Sequence, residues 1–303
     1  MKASIVIRTY NEATHLPKTL RCIDDQQFSD DHEVVVVDSG STDGTVDIAR
    51  TLDVDVPVNI VEITQAEFSY GRALNLGADA SDGEYVVNLS AHCPPLYDDW
   101  LRSLVGPLES RDAVAGVYGK QVSEPKRNPY EAVEWADTFP DRRAVFESYD
   151  EAISGTKADV FAFSNSNCAV RKRVWEANGF DEQLAYAEDN HWARRILRRG
   201  HEIVYEPDAA VYHSHPVTFQ RTYNDAKNST RAFEEIESVK RSHAELAGCV
   251  AYHLLTIPVY AVHAVRMLYE QGELRQLPSV VPFVTGRKLG RIGGYLAYHY
   301  GPR

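Results

Sequence analysis

The sequence lacks the cysteine patterns of a zinc site or a disulfide framework. Its four cysteines are scattered, with no CxxC motif and no close pair. Reduced thiols are therefore expected, as is typical of a cytoplasmic protein. The N-terminus also lacks the apolar stretch of a secretory signal peptide, so we expect a protein that is not secreted.

The phosphate-binding loop motif GxxxxGK[ST] and the nucleophile-elbow motif GxSxG are also missing. Four glycines near the C-terminus superficially resemble a dinucleotide fingerprint, but they do not follow a strand in a βαβ unit: Gly286, Gly290, Gly293 and Gly294. Basic residues are in the minority, with 32 Lys and Arg against 44 Asp and Glu and a formal charge of −12. Because nucleic-acid binding needs a basic face, this balance argues against nucleic acid as the main partner.

Strand-like and helix-like segments alternate through the first half of the 303-residue chain. Ser4 to Arg8 has the apolar composition of a buried strand, and the four valines from Val34 to Val37 suit a strand covered on both faces. This alternation predicts an α/β fold with a mostly parallel sheet and helices on both faces. The composition changes after His215, which predicts a catalytic domain of residues 1–215 and a helical C-terminal region of residues 216–303.

The C-terminal region combines an apolar segment with a basic end. Residues 246–265 contain no Asp, Glu, Lys or Arg, and five basic residues but no acids follow Glu273: Arg275, Arg287, Lys288, Arg291 and Arg303. Four residues would form a polar stripe on the apolar helix: His253, Thr256, Tyr260 and His263. The two histidines and Pro258 favour a helix in the membrane interface over one that spans the membrane. Packing on the catalytic domain or formation of a homodimer is the alternative. We expect a cytoplasmic protein associated with the inner face of the cell membrane.

Polar residues follow three predicted strands, at the edge where open α/β sheets bind ligands. The first strand ends in Arg8-Thr9-Tyr10-Asn11-Glu12, the second in Asp38-Ser39-Gly40-Ser41-Thr42-Asp43-Gly44, and the fourth in Asn88-Leu89-Ser90-Ala91-His92. Taken singly, Asn11 and Asp43 could simply cap helices. Together, the three polar ends predict a binding site in one crevice.

These segments resemble the family 2 glycosyltransferases of the GT-A fold, which is Rossmann-like. The resemblance continues through GRALNLG at residues 71–77, NGFDE at residues 178–182, and Glu188-Asp189. It implies an inverting transferase that moves a hexose or deoxyhexose from a nucleotide-sugar donor to a hydroxyl of a glycan or lipid-linked acceptor, in cell-surface glycan or glycoprotein biosynthesis. The rival interpretations are a non-catalytic nucleotide-sugar-binding protein and a sugar nucleotidyltransferase.

The resemblance also implies roles for the polar residues. Seven residues would bind the nucleotide sugar: Thr9, Asn11, Glu12, Asp38, Ser39, Arg72 and Ser90. Of these, Thr9, Asn11, Glu12 and Asp38 would line the pocket for the base and ribose. Arg72 would lie near the diphosphate and balance part of its charge.

The Asp-x-Asp metal motif of the resembling family is replaced here by Ser90-Ala91-His92. Rhamnosyltransferase-like members are similar in having Ser at the first position. An imidazole can ligate a divalent cation, and Mn²⁺ tolerates nitrogen better than Mg²⁺ does. His213 and His215 point the same way on an extended segment, and the resemblance implies that a histidine here completes the metal or diphosphate shell. We therefore predict Mn²⁺ or Mg²⁺ at His92, His213 and His215. The alternatives are that His92 contacts the leaving phosphate or is structural, and that His213 and His215 are a surface pair.

The Glu188-Asp189 pair supplies the candidate catalytic residues. An inverting transfer needs one carboxylate to take the proton of the acceptor hydroxyl as its oxygen attacks the anomeric carbon. By the resemblance, Asp189 is this base, and Glu188 binds the acceptor or orients Asp189. The alternative is that Asp189 caps the helix that follows it.

Overall fold

The structure is a computed structural model that describes residues 1–154 and 161–301. The chain forms two compact units. The first is made of Met1–Val122, Trp135–Leu184 and Glu188–His213. The second is made of Ser123–Glu134, Ala185–Ala187 and Ser214–Arg303. The domain boundary between residues 215 and 216 stays a prediction.

The first unit contains eight strands within the described residues: β1 (Ala3–Thr9), β2 (His32–Asp38), β3 (Val58–Glu62), β4 (Tyr85–Ser90), β5 (Val114–Val122), β6 (Ala144–Phe146), β7 (Asn167–Arg171) and β8 (Glu202–Tyr212). They form one sheet in the order β3-β2-β1-β4-β7-β5-β8-β6. The pairs β2–β3, β1–β2, β1–β4 and β5–β8 are parallel, and the pairs that contain β6 or β7 are antiparallel. The predicted, mostly parallel sheet is confirmed.

Helices connect these strands and continue beyond them. In chain order they are α1 (Leu16–Asp24), α2 (Thr45–Thr51), α3 (Tyr70–Asp79), α4 (Trp100–Ser110), α5 (Pro129–Thr138), α6 (Tyr149–Ile153), α7 (Lys172–Glu176), α8 (Glu188–Arg198), α9 (Phe219–Ile236), α10 (His243–Leu255), α11 (Ile257–Glu270) and α12 (Val280–Tyr300). A 3-10 helix spans Leu274–Ser279.

The valines of β2 show why both faces of the sheet are covered. Successive side chains of a strand point to opposite faces. Val34 and Val36 join the core that contains the apolar residues of α1, whereas Val35 and Val37 join the core that contains those of α3. All four valines are fully buried, so β2 lies between two helical layers.

Strand β7 runs in the opposite direction to its neighbours β4 and β5. Its first residue, Asn167, therefore pairs with Leu89 near the carboxyl end of β4. The main-chain N–H of Ser90 donates to the carbonyl oxygen of Ser166 at 3.2 Å. This reversal brings the loop before β7, rather than the loop after it, to the edge where the parallel strands end.

In the second unit, α12 packs closely along α9 through glycines. A Cβ atom added at Gly290 would lie 2.4 Å from the carbonyl oxygen of Tyr223, and one at Gly294 would lie 2.6 Å from that of Lys227. Positions four apart on both helices meet in register, and only glycine permits this backbone approach. These glycines therefore serve helix packing, as expected of glycines that are not a dinucleotide fingerprint.

The apolar segment expected to form one C-terminal helix forms two. A bend of 45° separates α10 from α11, and Pro258 lies in the first turn of α11, where its missing N–H costs little. Among the described helices, none alone has the length and apolar composition to cross a membrane, although this bent pair together does. Of the predicted polar stripe, His253 does not face solvent: it is buried and stacks on Tyr295.

Two of the basic residues that follow Glu273 have partners within the second unit. Lys288 is 1% exposed, and its Nζ donates to Thr256 Oγ1 at 3.0 Å and lies 3.1 Å from the centre of the Tyr260 ring. Burial lowers the pKa of Lys288 to about 8. Arg287 forms an ion pair with Glu134. Arg303 lies outside the described residues.

Candidate active site

Asp38 ends β2 and organises the loop that follows. Its buried carboxylate accepts hydrogen bonds from the Thr9 hydroxyl at 2.9 Å, the Gly40 N–H at 3.0 Å, the Ser41 N–H at 2.8 Å and the Ser41 hydroxyl at 2.5 Å. Gly40 has a φ of +83°, which glycine adopts without steric cost. Asp38 therefore stabilises its own loop, and its contact with a nucleotide stays a prediction.

The loop after β1 is tied to the loop after β2. Asn11 adopts a φ of +55°, accepts from the Thr42 N–H at 2.9 Å through Oδ1, and donates its own N–H to Ser41 Oγ at 2.8 Å. The Glu12 N–H donates to Thr45 Oγ1 at 2.8 Å. These bonds fix the backbone of two residues that the sequence assigns to the nucleotide site.

Ser39 has a buried hydroxyl with no hydrogen-bond partner within residues 1–154 and 161–301. Its main chain is fully engaged, because its N–H donates to the Thr9 carbonyl at 3.0 Å and its own carbonyl accepts from Gln65 Nε2 at 3.1 Å. An unsatisfied buried hydroxyl costs about 1–3 kcal/mol. A polar ligand atom at this position would remove that cost.

Arg72 lies in the first turn of α3 and pairs with Glu182. The Arg72 Nη1 to Glu182 Oε2 distance is 3.5 Å, and both side chains are well exposed. Exposed pairs of this kind contribute about 0–1 kcal/mol, so the guanidinium can exchange this partner for an anionic ligand. The Arg72 Nε is buried and makes no hydrogen bond in the described part of the chain.

Asn75, which the sequence analysis missed, joins the segments at residues 71–77 and 178–182. Its amide nitrogen donates to the Phe180 carbonyl at 2.9 Å and to Glu182 Oε1 at 3.0 Å. Its amide oxygen accepts from the Phe180 N–H at 2.9 Å and from Trp175 Nε1 at 3.1 Å. The sequence feature that could have indicated Asn75 is its position as the one amide among the small and apolar residues 73–78.

Glu188 and Asp189 lie in the first turn of α8, and Asn165 contacts both. Its main-chain N–H donates to Asp189 Oδ2 at 3.1 Å, and its Nδ2 donates to Glu188 Oε1 at 3.2 Å. Burial, together with the charge of Glu188, raises the pKa of Asp189 to about 7. The helix-capping alternative does not hold, because α8 already includes Glu188 and Asp189 lies inside the helix.

The sequence analysis missed Asn165 because it precedes an antiparallel strand rather than following a parallel one. The available signal was its position in the polar stretch before the apolar β7. Asn165 is 1% exposed. A buried amide with partners from several distant segments is typical of a residue that fixes a site.

His92 and His213 lie side by side in the first unit, with ring centres 5.3 Å apart. The Nδ1 of His92 is 3.0 Å from Glu12 Oε1, and the Nδ1 of His213 is 2.5 Å from Gln121 Oε1. When Nδ1 carries the proton, Nε2 carries the lone pair. Histidines that bind metals commonly have this arrangement, with one nitrogen held by an oxygen acceptor.

His215 has the same kind of arrangement in the second unit. Its Nδ1 lies 3.1 Å from Glu131 Oε1, and its main-chain N–H donates to Glu131 Oε2 at 2.9 Å. All three predicted metal ligands therefore have Nδ1 beside a side-chain oxygen. An imidazole held in this way can bind a divalent cation through its Nε2 atom.

Contacts within the first unit join four of the predicted residues at one edge of the sheet. Thr9 pairs with Asp38 across β1 and β2, and Arg8 pairs with Ser90 across β1 and β4. The Arg8 guanidinium in turn reaches Glu188, with Nη1 3.6 Å from Oε1. The strand ends and the carboxylate pair therefore share one edge, as the sequence predicts.

Comparison with known proteins identifies a family and several relatives that this chain resembles. Residues 4–176 match the family described as Glycosyl transferase family 2. The O-antigen chain rhamnosyltransferase RfbN of Salmonella typhimurium is 31% identical over 230 residues, which cover 74% of this chain and 71% of that protein. The O-antigen chain rhamnosyltransferase WbaN of Salmonella anatum is 30% identical over 227 residues, which cover 73% of this chain and 70% of that protein.

Among solved structures, the fold is similar to that of the mannosyltransferase PcManGT from Pyrobaculum calidifontis, determined in complex with GDP-Man and Mn²⁺. The TM-score is 0.65 at 20% identity, over 99% of this chain and 87% of that one. At this identity the likeness concerns the fold alone. The predicted GT-A fold with a C-terminal helical region is confirmed.

Proposed function

Because the chain belongs to glycosyl transferase family 2, we propose that it moves a hexose or deoxyhexose from a nucleotide sugar to a hydroxyl of a glycan or lipid-linked acceptor, with inversion. The two rhamnosyltransferase relatives support the deoxyhexose, since rhamnose is one. The observation that carries the proposal is the half-buried Asp189, which Asn165 holds at the edge where the parallel strands end.

Asp189 is the proposed base. A general base is most effective when its pKa lies near the working pH, and the pKa of Asp189 is raised to about 7. It would take the proton of the acceptor hydroxyl as that oxygen bonds to the anomeric carbon. The bond from this carbon to the diphosphate oxygen breaks on the opposite face, and Arg72 would balance part of the charge that develops there.

The donor would lie along the ends of β1, β2 and β4. We assign six residues to its base, ribose and sugar, with Arg72 near the diphosphate: Thr9, Asn11, Glu12, Asp38, Ser39 and Ser90. The buried Ser39 hydroxyl supports this assignment, because within the described residues it has no partner that a ligand would have to displace.

We further propose that His92, His213 and His215 hold a divalent cation. The chemistry of three imidazoles favours Mn²⁺ over Mg²⁺. His215 follows His213 by two residues in the chain, and Glu12, Gln121 and Glu131 orient the three rings. When bound, the cation would stabilise the negative charge of the departing diphosphate.

The second unit would contact an anionic membrane surface that presents the acceptor. Val259, Val262 and Tyr269 lie on one face of α11 and are 65%, 72% and 71% exposed. The second unit contains 13 Lys and Arg and 10 Asp and Glu, a formal charge of +3, whereas the first unit carries −15. An apolar face on the cationic unit suits anionic lipid better than a second copy of the same cationic surface. The four cysteines are free, which supports the cytoplasmic side.

A thermal-shift screen against nucleotide sugars tests the donor, because a ligand that binds the native state raises the apparent stability. The same donor should stabilise the wild type and Asp189→Asn, but only the wild type should transfer sugar. Asp47→Asn, which removes an exposed carboxylate on α2, is the matched control and should keep activity. Equal turnover by wild type and Asp189→Asn would overturn the assignment of the base.

A further inference from the structure

We propose that Arg8 and Asn165 are positioning residues for the carboxylate pair, with Arg8 as the counter-ion of Glu188 and Asn165 as the hydrogen-bond donor to both Glu188 and Asp189. This inference rests on the proposed role of Asp189 as the base. It concerns two residues that would not touch the reacting atoms. Each acts through Glu188 or Asp189.

Near the end of β1, the Arg8 side chain lies beside the Glu188 carboxylate and the Tyr70 ring. Its side chain is 16% exposed, its Nη1 lies 3.6 Å from Glu188 Oε1, and its Cζ lies 4.9 Å from the centre of the Tyr70 ring. The aromatic face restricts the planar guanidinium on one side. In the described part of the chain, Nη1 makes no hydrogen bond, and the Glu188 carboxylate is its ion-pair partner.

Asn165 has a fixed amide orientation. Its Oδ1 accepts from Asn88 Nδ2 at 3.1 Å and from the Cys168 thiol at 3.3 Å. Because both partners are donors to this oxygen, the amide nitrogen must point the other way, toward Glu188. The main-chain N–H of the same residue reaches Asp189, so one residue sets the spacing of the two carboxylates.

The charges around Asp189 oppose one another. The carboxylate of Glu188, on the same helix, raises the pKa of Asp189, whereas the guanidinium of Arg8, on β1, lowers it. The Cys168 thiol on β7 also faces Asp189, and burial raises the pKa of this thiol well above its usual range, so it is neutral. Tyr70 on α3 faces Arg8. Removing Arg8 or Glu188 should therefore move the titration of Asp189 in opposite directions.

The first experiment measures kcat/KM against pH, which reports the titration of the free enzyme. Relative to wild type, Arg8→Met should move the acid limb up by about one pH unit and Glu188→Gln should move it down by about as much. Arg8→Lys keeps the charge and should retain most of the wild-type position. An unmoved limb in Arg8→Met, or a tenfold rise in the donor KM without a shift, would overturn the role of Arg8 and make it structural or substrate-binding.

The second experiment tests Asn165. Asn165→Ala keeps the main-chain N–H but removes Nδ2, and should lower kcat about tenfold with the donor KM unchanged. Asn165→Asp places an acceptor against Glu188 and should lower kcat further. Circular dichroism and thermal melting correct each kcat for the folded fraction. A wild-type kcat per folded molecule in Asn165→Ala would overturn the positioning role.

A readout without substrate separates this inference from the proposed function. Carbon-13 NMR of carboxyl-labelled aspartate follows the titration of Asp189, with its signal assigned from Asp189→Asn. Opposite shifts in Arg8→Met and Glu188→Gln, without transfer from any donor, would sustain the positioning role and reject the proposed function. Transfer without these shifts would reject the positioning role alone.

Discussion

Replacing Asp189 with Asn should make the protein more stable at alkaline pH while it removes activity. The folded state raises the pKa of Asp189 from 3.8 to about 7, chiefly because the carboxyl group is shielded from water beside Glu188. Well below pH 3.8 the group is neutral in both the folded and unfolded states. Between pH 4 and 7 the unfolded chain ionises first, so the contribution of Asp189 to stability is lost as the pH rises through the folded pKa.

The magnitude follows from the shift. Three pKa units correspond to about 4 kcal/mol, which is the upper limit of the gain from Asp189→Asn at pH 8. Since about 1 kcal/mol shifts the Tm of a domain this large by roughly 2–4 °C, the variant should melt several degrees above wild type at pH 8 and close to it at pH 4. Its kcat should fall by about 10²–10⁴-fold, as expected for loss of a general base.

Calorimetry across pH 4–9 measures the effect, and Asp43→Asn provides a control of opposite sign. The Thr45 hydroxyl donates to Asp43 and lowers the pKa of that exposed carboxyl group, so its stabilising effect is present at neutral pH and is lost as the pH falls. Asp43→Asn should therefore melt below wild type at pH 8. Equal melting of Asp189→Asn and wild type at both pH values would refute the reasoning about buried charge.

Three further predictions concern other parts of the molecule. Chelator should abolish transfer, and Mn²⁺ should restore it at least as well as Mg²⁺, whereas full activity in chelator would contradict the histidine site. Val262→Asp should reduce cosedimentation with vesicles that contain anionic lipid, while Ile153→Asp, an exposed apolar position of the first unit, should leave it unchanged; equal binding by both variants would reject the lipid-facing role of α11. Gly290→Ala should lower the Tm, because its Cβ would meet the Tyr223 carbonyl at 2.4 Å. Gly248→Ala on α10 should be neutral or stabilising, because, apart from its own neighbours along the helix, no atom of the described residues lies within 4 Å of the added Cβ.

The sheet was predictable because its signals are local. Strands β1, β2 and β4 are short apolar stretches that end in polar residues, and the valines of β2 suffice to predict burial on both faces. The reversal of β7 was not predictable, since Asn167–Arg171 has the composition of any buried strand. Its direction depends on pairing with β4 and β5, which are distant in sequence.

The candidate site was predictable in part for the same reason. The ends of β1 and β2 lie together, as the hydrogen bond from Thr9 to Asp38 shows, while the functional roles of these residues stay predictions. The role of Asn165 was not predictable, because its hydrogen-bond partners lie on three separate segments, β4, β7 and α8. The burial of Lys288 was not predictable from the sequence around it, because it depends on Tyr260 of α11 and on Thr256, which lies between α10 and α11.

The ties between the loops after β1 and β2 have a thermodynamic consequence for ligand capture. Asn11, Glu12 and Ser41 are already hydrogen-bonded across the two loops, so this loop pair is preorganised and a bound donor would not have to order it. When a nucleotide is titrated into the protein in a calorimeter, the heat-capacity change of binding should accordingly be small and negative. It should reflect dehydration of the ligand rather than folding of the loops. Ser41→Ala and Thr45→Ala would each remove a hydrogen bond between the two loops and so increase the entropic cost of binding the donor. Neither hydroxyl is assigned a contact with the donor.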